Sequence, residues 1–248
     1  MSKSIFKKTN IFPDDILINI LGFIEQDGPM ILSYDFKQKK FVDTKHPNYT
    51  RAKILVQQDG VALKDVREVF QTEEICKLAV QTNGWALEHV RVDLQTEEMC
   101  YLAIQQYGCP LQYVRKDLQT HEMCKLAVQT NGWALEHVRV DLQTEEMYYL
   151  AIQQFGCALK YVREVFQTEE ICKLAVQTNG WALEHVRDDL QTEEMCYLAI
   201  QQYGCALIYV REDLQTHEMC KLAVQTNGCA LIYVRDDLQT EEMCKLAV

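Results

Sequence analysis

"GWALEHVRVDLQTEEMCYLAIQQY", residues 84–107, gathers His89, Arg91, Asp93, Glu97, Glu98 and Cys100 into one short stretch. Taken alone, these are the residue types of a hydrolytic or metal site. The stretch recurs, however. Gly84 has counterparts at Gly60, Gly108, Gly132, Gly156, Gly180, Gly204 and Gly228, and Thr96 has counterparts at Thr72, Thr120, Thr144, Thr168, Thr192, Thr216 and Thr240, always 24 residues apart. A catalytic centre requires one constellation in one geometry, whereas a group copied at fixed spacing is explained by the packing of stacked units. The stretch is therefore a structural unit first. The expected fold class is all-α: an α-solenoid of eight 24-residue two-helix repeats, the last incomplete, behind an N-terminal capping segment.

Within one repeat, Thr96 precedes "EEMCYLAIQQ", where its hydroxyl can cap a helix start and Glu97 and Glu98 oppose the positive end of the dipole. In the sister unit Ile75, Cys76, Leu78, Ala79 and Val80 form a broad apolar arc, with Glu73 and Lys77 spaced for an i,i+4 pair. The helix is expected to close at Gly84 or Gly108 in a left-handed conformation. A second, shorter helix is expected over "WALEHV" or "CALIYV", with "RxDLQT" as the return loop. A longer rhythm of 48 residues overlies this one, because Trp85, Trp133 and Trp181 alternate with Cys109, Cys157 and Cys205. Large and small side chains at equivalent positions can interdigitate between neighbours. Tyr101, Tyr149 and Tyr197 alternate with Lys77, Lys125, Lys173 and Lys221, which gives one edge an aromatic and cationic character and makes it a candidate contact surface.

Composition narrows the function classes. The chain has 248 residues, 48% of them hydrophobic, enough for a continuous core. No apolar run approaches the roughly 20 residues that span a bilayer, and "MSKSIFKKTN" lacks the apolar block of a secretory signal, so a cytoplasmic location with no membrane contact is expected. The 11 cysteines keep to the repeat, and stacked helices hold equivalent positions about 8–10 Å apart, beyond disulfide reach; free thiols are expected. Net charge is −11, and residues 1–58 carry nine Lys/Arg against six Asp/Glu, so the acidic excess lies in the remainder. That balance argues against nucleic acid and suits a basic partner.

The paired units, "QTEEICKLAVQTNGWALEHVR" with "CALKYV", resemble the helical repeats of unknown function that are abundant in giant DNA viruses of amoebae. The similarity covers residues 59–248 and implies a viral origin, a host-derived protein partner and the host cytoplasm, with no assigned enzyme activity. Residues 1–58 form the cap. Within them "IFPDDILINILGFI" reads as an amphipathic helix with Pro13 in its first turn and Ile16, Leu17, Ile20 and Leu21 on one stripe. This stretch resembles the opening helix of an F-box, which implies docking to Skp1, the adaptor subunit of a cullin ubiquitin ligase, through those five residues. The plainer reading is a helix that covers the end of the array. "ILSYDFKQKKFV" suits a small hairpin. At the other end "MCKLAV" falls inside a long helix, so an apolar flank, end-to-end self-association or a longer array are the expectations there.

Two rows remain as candidate sites. Arg91, Arg115, Arg139, Arg163, Arg187 and Arg211 could grip an extended acidic ligand by bidentate contacts, or instead pair with carboxylates such as Asp93 and Asp117; local pairing is preferred. His89, His137 and His185 stand two repeats apart, roughly 20 Å on the stacking estimate, too far to share a metal. His121 and His217 occupy a position that is glutamate elsewhere, the mark of an exposed site. No cofactor, metal or catalytic residue is expected. The sequence thus points to a non-enzymatic scaffold for protein–protein interaction, with a ubiquitin-ligase adaptor as the alternative.

Overall fold

The computed structural model describes residues 33–35, 40–42 and 46–247. Strands β1 (Ser33–Asp35) and β2 (Lys40–Val42) pair antiparallel with Tyr34 opposite Phe41, so the expected hairpin is present. The remaining described elements are helical. By internal contacts the chain divides into two compact units, Met1–Gln106 with Tyr113–Leu118, and Tyr107–Gln112 with Gln119–Val248.

The first unit carries α1 (Pro47–Gln58), α2 (Glu73–Thr82) and, up to Gln106, α3 (Glu97–Tyr107). In the second lie α4 (His121–Thr130), α5 (Glu145–Gln154), α6 (Glu169–Thr178), α7 (Glu193–Gln202), α8 (His217–Thr226) and α9 (Glu241–Leu246). Each helix from α2 to α9 starts as expected: the threonine hydroxyl accepts the amide three residues on at 3.2–3.4 Å. This satisfies one of the orphan donors of the first turn. The repeat register reaches further back than residue 59. Helix α1 sits in it, since Lys53 reaches Glu74 at 2.6 Å just as Lys77 reaches Glu98 at 2.6 Å.

The connections between α-helices differ from expectation in two respects. The short second helix is a 3-10 helix of six residues, Gly84–His89 in one repeat and Gly156–Tyr161 in another. Most of the "RxDLQT" segments add a further 3-10 turn, such as Val92–Leu94 and Asp188–Leu190, in place of a plain loop. The glycines do not, as a row, close helices in the left-handed conformation. Among the described glycines only Gly108 has positive φ, at 73°. Elsewhere the closing residue is extended: Asn83, at φ −152°, donates its amide to Ala79 and accepts the Trp85 amide on its side chain at 3.0 Å, which starts the 3-10 turn.

The glycines answer to close packing instead. A Cβ built on Gly132 would lie 2.8 Å from the carbonyl oxygen of Ala151 in the next helix, and one on Gly156 only 2.2 Å from that of Ala175. Each 3-10 helix therefore presses its backbone onto the next α-helix, and the alanine opposite is the second half of the fit. Around this contact the core is repetitive. Ile75, Cys76, Ala79 and Val80 of α2 are buried with Leu63 and Leu87 of the flanking 3-10 helices, and Ile171, Cys172, Ala175 and Val176 of α6 with Leu159 and Leu183. Burying each leucine contributes about 1.5–3 kcal/mol. Within each unit successive repeats stack as in a solenoid, and the fold class is all-α apart from the hairpin. No helix among the described residues is long and apolar enough to cross a membrane.

Candidate interaction surface

The arginine row is held by the chain itself. Arg91 donates Nε to Asp93 at 3.0 Å and Nη2 at 2.7 Å, and the same two-pronged pair recurs for Arg139 with Asp141, Arg187 with Asp189 and Arg235 with Asp237. Arg115 with Asp117 and Arg211 with Asp213 form it too. Their guanidinium groups hold the Asp117 and Asp213 carboxyls below the usual range. A third prong reaches the preceding repeat: Arg115 Nη1 donates to the Val92 carbonyl at 3.2 Å and Arg187 Nη1 to that of Glu164 at 3.1 Å. Arg163 differs from these: its repeat has Val165 in place of aspartate, and its guanidinium lies over Phe166, 5.1 Å from the ring centre, just as Arg67, with Val69, lies over Phe70 at 5.9 Å.

The tyrosine and lysine edge is a ladder across repeats. Lys77 reaches out of its own helix to Glu98, in place of the expected Glu73, and on the same pattern Lys125 meets Glu146, Lys173 meets Glu194 and Lys221 meets Glu242, each at 2.7 Å. The reason is geometric, since the neighbouring helix presents its first-turn glutamate to the lysine tip. Tyr149 fills the lysine position in the alternate repeat and hydrogen-bonds Glu170. Tyr101 is 45% exposed, while Tyr149 and Tyr197 are half-buried.

The tryptophans pack between neighbouring repeats at the edge of the stack. Trp133 and Trp181 lie at the surface, where each leans on an aromatic of the next repeat: Trp133 on Phe155 at 5.4 Å and Trp181 on Tyr203 at 5.5 Å between ring centres. A second ring closes the corner edge-on, Tyr161 at 6.2 Å and Tyr209 at 6.0 Å. Trp85 makes the corresponding edge contact with Tyr113 at 6.4 Å. A glutamate of the tryptophan's own 3-10 helix completes the group, Glu136 accepting from the Tyr161 hydroxyl at 2.8 Å, and Glu184 and Glu88 bonding Tyr209 and Tyr113. Burial and these carboxylates raise the tyrosine pKa values.

Two glutamine rows carry contacts that the sequence does not announce. Gln95 and Gln191, in the "LQT" segments, donate to the carbonyls of Tyr113 and Tyr209 at 2.9 Å and accept the Arg115 and Arg211 amides at 3.1 and 3.2 Å. Gln106, Gln154 and Gln202, the second glutamine of "AIQQ", accept the amides of Gly84, Gly132 and Gly180 at 2.8–2.9 Å and donate to Val80, Val128 and Val176 at 2.9–3.0 Å. Each thus caps the carboxyl end of the preceding helix. Their recurrence is the available signal, but an exposed-looking glutamine carries no pattern that separates clamp from solvated side chain.

The thiols are free, and Cys76, Cys100, Cys124, Cys172, Cys196 and Cys220 are buried. Burial pushes the Cys76 thiol up to about 12 and those of Cys100, Cys124, Cys172 and Cys196 to about 11. Such groups are poor nucleophiles at neutral pH. His89, His137 and His185 are half-buried and His121 and His217 exposed. No trio of His, Cys, Asp or Glu among the described residues could hold a metal ion. Pro13, Ile16, Leu17, Ile20 and Leu21 lie outside the described residues.

Threonine-capped helices, glycine–alanine contacts and glutamine clamps in constant register define a tandem helical repeat protein. The family model for a domain of unknown function (DUF4116) matches three consecutive stretches, residues 96–143, 144–191 and 192–239. Together they cover more than half of the chain, and the chain belongs to this family. Each stretch begins on a capping threonine and spans two 24-residue repeats, so the family unit is the 48-residue pair; the first two stretches join a Tyr-type to a Trp-type repeat, while 192–239 has Cys229 in place of the tryptophan. Neither curated proteins nor solved structures include one that matches.

Proposed function

We propose that the chain is a non-enzymatic scaffold that binds a protein partner along the exposed face of its repeats. The observation that carries this reading is the recurrence, every 48 residues, of surface aromatics set beside carboxylates: Trp133 and Phe155 with Glu136, then Trp181 and Tyr203 with Glu184. Aromatic side chains with an apolar body and a polar neighbour are favoured at interfaces. Within the second unit Tyr149 and Tyr197 recur at the same 48-residue interval, and Arg163, with no aspartate at position 165, is the arginine of the row best placed to reach a partner.

The acidic excess of residues 59–248 selects a basic partner. The resemblance to giant-virus repeats supports a viral protein in host cytoplasm acting on a host protein. Affinity purification of the intact chain from its natural cellular setting tests the reading. A stoichiometric partner that is lost on mutation of the aromatic face supports it; a chain that recovers none contradicts it. The adaptor alternative rests on the sequence of residues 11–24 alone, and recovery of Skp1 in the same purification would favour it.

A further inference from the structure

The 3-10 helices contain an in-chain example of what the face can hold. Lys160 stands in the row occupied by Glu136 one repeat earlier and Glu184 one repeat later, and its ammonium lies over the Tyr161 ring, 5.0 Å from the centre. That ring is backed by Trp133, and its hydroxyl is bonded to Glu136. A cation is attracted to the face of an aromatic ring, and a carboxylate alongside strengthens the attraction. The equivalent corner of Trp181, Tyr209 and Glu184 has the same geometry but lacks the cation, because the lysine position holds Ile208, which is 49% exposed. We propose that these Trp–Tyr–Glu corners are receptors for lysine or arginine side chains of an extended basic segment of the partner, one cation to a corner, with Lys160 occupying its corner from within.

The inference rests on the scaffold reading and names the partner's chemistry. Net charge complements it, since the chain stands at −11 overall. Corners two repeats apart are separated by about 18 Å on helix-stacking distances. An extended strand covers that in about six residues. In the unaltered chain one cation enters the Trp181 corner, and a segment with a second cation at that interval engages the Trp133 corner as well once Lys160 is replaced.

The test is a fluorescence titration of the full chain, read on its tryptophans, with a blocked Gly/Ser peptide bearing arginines about six residues apart. Binding is expected, and loss of it when citrulline replaces arginine. Ile208→Lys, which copies a residue the fold already accepts at 160, should weaken binding roughly threefold or more by filling the open corner. Lys160→Ile should tighten it by a similar factor. Glu184→Gln, at an exposed side chain, should weaken it without lowering thermal stability. Absence of binding, or equal affinity for Ile208→Lys, Lys160→Ile and the unaltered chain, overturns the proposal. If a partner from the native setting is captured equally by the unaltered chain and by Ile208→Lys, the corners fail and the scaffold stands; capture of no partner removes both.

Discussion

At Gly156 an added methyl group would lie 2.2 Å from the Ala175 carbonyl oxygen, while at Gly132 the nearest atom, the Ala151 carbonyl oxygen, would be 2.8 Å away. The two junction types therefore differ in tolerance. Gly156→Ala should destabilise by about 3 kcal/mol and Gly132→Ala by about 1 kcal/mol, the range of overpacking a tight contact. Urea unfolding of the two variants measures the difference, and equal losses would contradict the close-approach account. Thiol reactivity gives a second residue-scale check. Cys229 and Cys244 are exposed and should react with a thiol reagent in the native state, whereas buried thiols such as Cys76 and Cys172 should react only on unfolding. The position of every repeat glycine is legible in the sequence, but its role is not. A glycine after a helix is equally consistent with a left-handed cap and with a neighbour pressing close, and only the register of the next helix separates the two.

The α-helices, their threonine starts and the 24-residue repeat are legible because capping and apolar periodicity are local properties. The connecting elements are less so. "WALEHV" closes i to i+3 bonds because an extended asparagine or aromatic precedes it and the next helix crowds its glycine, which are properties of two repeats rather than one. The lysine row misleads for the same reason: the i,i+4 spacing of Lys77 with Glu73 is visible in one helix, and the competing Glu98 is not. The glutamine clamps make the strongest prediction at this scale. Gln154→Ala removes the acceptor for the Gly132 amide and the donor to the Val128 carbonyl, and should cost about 1–3 kcal/mol, with faster amide exchange at Gly132. Asp141→Asn, at the exposed Arg139 pair, should change stability by less than about 1 kcal/mol. Reversal of that order would mean that the arginine row, not the glutamine row, binds repeat to repeat.

For the molecule as a whole, the titrating groups fix the direction of its pH dependence. Burial holds His185 below its ordinary value of 6.5, so the unfolded chain binds that proton first and stability falls as pH drops below 6.5. Hydrogen bonds from Lys53 and Tyr49 hold Glu74 below its ordinary 4.5, and a bond from Lys221 does the same for Glu242; that stability is present above 4.5 and is lost on further acidification. Thermal unfolding should therefore show a higher midpoint at pH 7 than at pH 5.5, and a steeper decline below 4.5; a midpoint that rises between pH 7 and 5.5 would be inconsistent with the half-buried His185. The alternation of Trp and Tyr repeats up to Trp181 is readable in the sequence as a 48-residue rhythm, although its surface placement is not. The most direct test of repeat-on-repeat stacking is spin-label distance measurement within the second unit, after replacing Cys229 and Cys244 by serine. Labels at the exposed positions 136, 184 and 232 should give about 18 Å for two repeats and about 36 Å for four. A four-repeat distance no longer than the two-repeat one would show the repeats folding back on each other, and would contradict the account.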